Sequence, residues 1–245
     1  MKINQLFVVF AAILLSSCGS SNKPNAEQVS GLDSTLLPGE VDTRLVSKFK
    51  AVNEFPFTAD TSLMFHMETG DSLGSKEIRQ LYGSYATNGS AWMEDFIIRE
   101  FYLIDSIKAS GKYAAWCDSL EPGMTKSASA YSIGKIQVDS TTQLLLWGLI
   151  TSSFEACPTT TMQNVYVSMV KEGLLLKTFK LAEYVSSMDP PVAMERIVTG
   201  VINKDLTVDM NLYQEDDEDM DLPEITVTKA SYRLNIQGNK IVTLA

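Results

Sequence analysis

Apolar and polar positions change rhythm three times along this chain. Leu6 to Leu15 is an unbroken apolar run behind one positive side chain, Lys2. A bilayer-spanning helix needs about 20 such residues, so the run reads as a secretory leader over residues 1–17. From Gly19 to about Glu40, Ser, Asn, Gly and Pro break any period. That stretch predicts a tether over residues 18–40, and about 20 coil residues reach about 25 Å.

Residues 41–124 carry mainly helical signals. Phe55-Pro56-Phe57 predicts an extended lead-in, and Asp60 a helix cap. Ser75 opens a short helix with Glu77 in its first turn and Gly83 at its end. Met93, Ile97, Phe101, Ile104 and Lys108 fall on one stripe of a longer helix that stops at Gly111, with Phe96, Leu103 and Ile107 beside it. A buried strand from Phe96 to Ile104 is the competing reading of the same residues. Lys112 to Leu120 predicts a last short helix carrying Trp116 and Cys117, closed by the Pro122-Gly123 turn.

Over residues 125–245 the period shortens to two. Strands are predicted at 131–138, 143–151, 162–170, 174–181, 196–202, 206–213, 225–236 and 240–244, with hairpin-length polar turns between them. Leu144-Leu145-Leu146-Trp147 is apolar enough to lie at a sheet centre. The expected fold is therefore α+β: a helical N-terminal part followed by an antiparallel β-meander of about eight strands, as a curved sheet, a sandwich or a barrel. Residues 41–245 could form one domain.

At the end of the leader, Leu15-Ser16-Ser17-Cys18 resembles the lipobox of bacterial lipoproteins. The resemblance implies that Cys18 becomes the acylated N-terminus and anchors the mature chain to a lipid bilayer from outside the cytoplasm. The other reading is an ordinary signal peptide cut after Ser17. The layout, with Tyr131-Ser-Ile-Gly-Lys-Ile136 and Ser153-Phe-Glu-Ala-Cys-Pro158, resembles uncharacterised lipoproteins of Bacteroidetes, for which no activity is implied. The tether lacks the acidic cluster that resembles surface-export signals in that group, so a periplasm-facing position is expected over the cell surface.

Charge narrows the partners. The chain has 20 basic and 30 acidic side chains and a net charge of −10. Losing the leader removes only Lys2 and leaves −11. Such a surface repels nucleic acid and anionic headgroups. Two cysteines remain after Cys18, Cys117 and Cys157. A disulfide between them would close a loop of about 40 residues, worth about 4 kcal/mol in the loop-entropy model. Two buried thiols are the alternative.

Candidate chemistry is sparse. Asp217, Asp219 and Asp221 alternate as in a calcium loop, but Leu222 stands where that loop needs Gly and Thr228 where it needs Glu. A looser Ca2+ site shared with Glu224 or Asp209 is one reading, and a solvated hairpin loop is the other; no other cofactor is expected. His66 is the single histidine. It is expected to pack beside its apolar neighbours, with no G-x-S-x-G serine elbow to serve. The tripeptides at Asp33, Asp71, Asp105, Asp118 and Asp139 look like the O-glycosylation acceptor of Bacteroidetes extracytoplasmic proteins, and each is also turn or cap chemistry. Trp147, Tyr166, Tyr213 and Tyr232 could stack sugars or fill the core. The expected role is a non-enzymatic binding or envelope accessory protein, with a protein or glycan of the cell envelope as partner. The alternative is a carboxylate-dependent hydrolase acting on glycan or peptidoglycan.

Overall fold

A computed structural model describes residues 39–82, 92–121, 124–155, 159–189, 192–217, 224–226, 233–235 and 242–244. Its helices are α1 (Thr43–Ser47), α2 (Thr61–Phe65), α3 (Ser75–Tyr82), α4 (Trp92–Ala109) and α5 (Tyr113–Asp118). Two short strands, β1 (Phe57–Ala59) and β2 (Ser72–Leu73), are set among them. Then follow β3 (Met124–Gln137), β4 (Thr142–Glu155), β5 (Thr159–Lys171), β6 (Leu174–Asp189), β7 (Val192–Ile202) and β8 (Thr207–Asp217). Three short pieces close the order: β9 (Glu224–Thr226), β10 (Arg233–Asn235) and β11 (Val242–Leu244).

The strands β3 to β8 pair in sequence order, all antiparallel, in a curled sheet that forms a half-barrel. Turn chemistry sets these hairpins. Asp139 Oδ1 accepts the backbone N–H groups of Thr141 and Thr142, both at 2.8 Å, closing the β3–β4 turn. Glu172 (φ 51°) and Gly173 (φ 78°) supply the paired left-handed residues that a two-residue hairpin requires. β2 extends one edge along β3; β9 and β10 both pair with β8 at the other, and β1 pairs with the far end of β7.

The centre of the sheet is covered on both faces, which is why Leu144 to Leu149 and Val165 to Val170 are buried without alternation. On the helical face, Ile78 and Leu81 of α3 and Ile97, Phe101 and Ile104 of α4 pack with Leu145, Trp147, Leu149 and Tyr166. On the opposite face, Ala59, Met64 and Met67 pack with Leu144, Leu146, Val165 and Val167. Helices and strands thus share their cores, and residues 34–245 form one compact unit.

A hydroxyl clasp docks α3. Trp147 Nε1 donates to Ser168 Oγ (2.8 Å), and Ser168 Oγ donates to the Leu81 carbonyl (2.7 Å). Thr178 Oγ1 also reaches Leu81 O and lies 3.0 Å from Ser168 Oγ. The last-turn carbonyl of a helix lacks an intrahelical partner, and two buried hydroxyls supply it here.

Several expectations are corrected. The molecule is mostly β rather than evenly α+β, and the segment before β3 is only partly helical because β1 and β2 interrupt it. Phe96–Ile104 is helix, as its stripe predicts, and not the competing strand. Leu103 faces solvent, at 55% exposure, although it borders the buried stripe. Ser75 begins its helix, but its hydroxyl donates to Asp105 Oδ2 (2.6 Å), while Glu77 Oε2 takes the Gly74 N–H as in a capping box. Asp60 caps α2 as expected, accepting from Leu63 N at 3.0 Å. β4, β5 and β6 outrun their predicted ends into Ser152-Ser153, Thr159-Thr160-Thr161 and Ser186-Ser187, where small hydroxyls stand on both faces and a polar–apolar alternation has nothing to show.

Candidate functional site

Register identifies what stands on each face. Directly paired residues of neighbouring strands point to the same side. Three successive rows therefore share the side of the sheet opposite α3 and α4. The first runs Ser129, Ile150, Gln163, Tyr184, Ile197, Tyr213. The second runs Ser127, Ser152, Thr161, Ser186, Glu195, Glu215. The third runs Thr125, Phe154, Thr159, Met188, Ala193. Covering by α2 reaches the first row, where Phe65 meets Tyr184 edge-on at 5.1 Å. On the third row Phe154 is 40% and Met188 57% exposed.

Two large apolar side chains standing in water on one row of a sheet are the kind of patch that marks an interaction site. The charge on these rows is one-sided. They contain Glu195 and Glu215 and neither Lys nor Arg. Glu195 and Glu215 are direct cross-strand partners. Like charges in that position disfavour the sheet, so packing does not account for the pair. Tyr213 Oη donates to Glu215 Oε2 at 2.7 Å. That hydrogen bond to a carboxylate holds the phenol pKa above its ordinary value, aided by desolvation and the negative charges of Glu215 and Glu195.

A second polar group lies on the helical face. Glu183 is buried between Lys180, whose Nζ is 2.5 Å from Oε1, and Arg196, whose Nε is 3.0 Å from Oε2. The Arg196 Nε–H does not point at that oxygen, so the contact is one of charge rather than a directed hydrogen bond. Asn164, the cross-strand partner of Glu183, is 1% exposed, and among the described residues its Oδ1 has no hydrogen-bond partner.

The single histidine lines a surface cavity of about 170 Å³ with Lys48, Lys50, Thr69, Asp71 and Ser132. His66 is exposed rather than packed, since it follows the last residue of α2 while Met64 and Met67 turn inward. Its Nδ1 donates to Ser62 O at 2.7 Å. Ser132 Oγ is occupied, donating to Lys48 O (3.1 Å) and accepting from Asp71 N (3.2 Å). The hydroxyl is therefore engaged in structure, and the cavity brings the histidine to one carboxylate, Asp71.

The other sequence candidates are placed as follows. Asp217 ends β8, and Asp219 and Asp221 lie outside the described residues. Asp209 is engaged by Asn203 Nδ2 at 2.9 Å. Among the described residues, no three His, Cys, Asp or Glu side chains converge as a metal site. Cys117 is half-buried on α5 with no disulfide among the described residues, and Cys157 and Cys18 lie outside them. Asp105 caps α3 and Asp139 closes its turn, which gives both a structural role. Trp147 and Tyr166 are core, stacked at 4.4 Å, whereas Tyr213 stands on the uncovered face and Tyr232 is outside the described residues. Phe154, Met188 and the second-row hydroxyls were not singled out from sequence. Their only signal is the recurrence of Ser and Thr at 125–129, 151–153, 159–161 and 186–187.

Among the described residues no helix is long and apolar enough to cross a membrane. The fold and site define an antiparallel half-barrel with α3 and α4 on one face and, beyond the reach of α2, an acidic-rimmed strip on the other that stands open among the described residues. No protein-family model, no curated protein and no solved structure matches the chain.

Proposed function

We propose that the chain is a lipid-anchored extracytoplasmic accessory protein of the bacterial envelope, facing the periplasm, that binds a partner through the uncovered half of its sheet. The observation that carries this reading is the exposure of Phe154 and Met188 on one row of a face that α2 covers only as far as Tyr184. The leader and the lipobox-like Leu15-Ser16-Ser17-Cys18 supply the address, and residues 18–40 the reach. A disulfide between Cys117 and Cys157 belongs to the same proposal. The register sets Glu155, close before Cys157, opposite Met124, shortly after Cys117. Titration of the unfolded, unreduced mature chain is expected to find no free thiol at these positions; two reactive thiols refute the pairing.

Two measurements test the main reading. Cys18→Ala is expected to move the protein from the membrane to the soluble fraction. A photoreactive residue introduced at Met188 is expected to trap a partner in intact cells, whereas one at Leu103 on α4 is not. Equal trapping from both positions, or none, refutes the reading.

The hydrolase alternative has one arrangement in its favour. Glu195 and Glu215 are paired across neighbouring strands, a placement that sets their Cβ atoms about 5 Å apart. If they act as a catalytic pair, Glu215→Gln abolishes release of reducing ends from a glycan that the protein binds.

A further inference from the structure

We infer that the uncovered rows bind an extended neutral glycan that lies across the strands. The inference deepens the binding role proposed above by naming its ligand, and it rests on that reading. Ser127, Ser152, Thr161 and Ser186 stand side by side on four neighbouring strands. Neighbouring strands are about 4.8 Å apart, so their hydroxyls form a comb with that spacing. Among the described residues none of the four hydroxyls has a hydrogen-bond partner. On the opposite face, by contrast, Thr160 and Ser187 bond each other at 3.2 Å. A hydroxyl both donates and accepts, and a row of them matches a ligand that presents hydroxyls at a regular repeat. An extended glycan does so, with an advance per sugar close to the strand spacing.

The flanking rows add the second half of the recognition. Ile150 and Tyr184 border the comb on one side, and Phe154 and Met188 on the other. Sugar rings carry apolar C–H faces that pack against such side chains while their hydroxyls point to the comb, and aromatic rings are the strongest of these partners. Phe65 held edge-on against Tyr184 fixes one of the two rings.

Charge selects among occupants. With Glu195 and Glu215 at one end and no Lys or Arg on the three rows, the face repels phosphate-rich and uronate-rich polymers. A second copy of the chain brings the same cation-free face and a net charge of −10, so self-association is disfavoured as well. A neutral polyhydroxylated chain has no such penalty.

The test is electrophoresis of the full-length protein, purified in mild detergent, through native gels containing a neutral glucan, xylan or mannan, or polygalacturonate. At least one neutral polysaccharide is expected to retard it, and polygalacturonate is not. Thr161→Lys and Ser186→Lys are each expected to weaken the retardation tenfold or more, and Leu103→Lys on α4 to leave it unchanged, with all three keeping the parental urea midpoint. Phe154→Ala, which adds no charge, is expected to weaken it as well. The proposal is overturned by no retardation in any neutral gel, by equal retardation in polygalacturonate, or by retardation that survives Thr161→Lys and Ser186→Lys together. A dimer that Thr161→Lys dissolves overturns it in favour of a second copy. If glycan binding fails while the Met188 crosslink to a protein persists, the binding reading stands and the glycan falls.

Discussion

The α-carbon of Gly70 lies so close to the backbone of Ser132 that a Cβ there would sit 1.8 Å from the Ser132 carbonyl oxygen. The contact seats the segment after α2 on β3 where Asp71 and Ser132 exchange backbone and hydroxyl hydrogen bonds. Because the obstacle is backbone, it cannot swing aside. Gly70→Ala is expected to cost about 3 kcal/mol, the upper end for overpacking. Gly173 is the control: φ is 78° and nothing lies within 4 Å of its would-be Cβ. Gly173→Ala is expected to cost only about 1 kcal/mol of left-handed backbone strain. Urea midpoints of the two variants check the order; equal costs refute the close approach.

Ser168→Ala removes the centre of the hydroxyl clasp. Trp147 is fully buried and its Nε1–H is left without an acceptor, while Leu81 O keeps only Thr178. An orphaned buried donor costs about 1–3 kcal/mol, and that loss is expected in the unfolding free energy. A change below about 0.5 kcal/mol would mean that the indole finds another acceptor.

Glu183→Ala leaves Lys180 and Arg196 facing each other without the carboxylate between them. Their side chains are 22% and 42% exposed, so water recovers part of the loss. The expected destabilisation is about 1–3 kcal/mol, below the about 3–5 kcal/mol of a fully buried pair. Adding Arg196→Ala is expected to cost less than the separate effects combined, a non-additivity that a double-mutant cycle in urea measures directly.

Asp139 gives a pH signature. Hydrogen bonds from the Thr141 backbone and side chain, and then from Thr142, hold its carboxyl pKa down to about 2. In the unfolded chain it titrates near its ordinary value of about 3.9. A depressed folded pKa stabilises the protein above the unfolded value, and that contribution fades as pH falls through the folded one. Asp139→Asn is therefore expected to lower the melting temperature at pH 6, with the gap to the parent closing between about pH 4 and pH 2. A gap that stays constant over this range assigns the effect to turn geometry instead of charge.

The readable part of this fold was the part with a period. Leu144 to Trp147 announces the sheet centre, because that apolar run is set by its own residues. The α4 stripe of Ile97, Phe101 and Ile104 was likewise visible, since one helical face meets the sheet. β1 and β2 were not. Three and two residues are too few to show alternation, and Phe57–Ala59 is a strand only because Gly200 to Ile202 lies beside it. The uncovered rows escaped for a related reason. Phe154 and Met188 are far apart in sequence, and they share a row only through the registers of β4, β5 and β6. Composition shows that Ser and Thr are present; pairing alone shows that Ser152, Thr161 and Ser186 stand abreast.

The pairing of β1 with β7 has a consequence for the order in which the molecule assembles. Each hairpin from β3 to β8 joins neighbours in sequence, so the sheet can grow strand by strand at small loop-closure cost. Phe57, by contrast, must wait for Ile202 to be made before it can find its partner. The apolar cluster that includes Ala59, Ile202 and Val208 is therefore completed late, whereas α3 can settle on β4, β5 and β6 beforehand through Leu81. A nascent chain stopped at residue 191 would have its helical side assembled and its other side open, a half-made molecule that a hydrogen-exchange experiment on arrested chains can distinguish from the finished one.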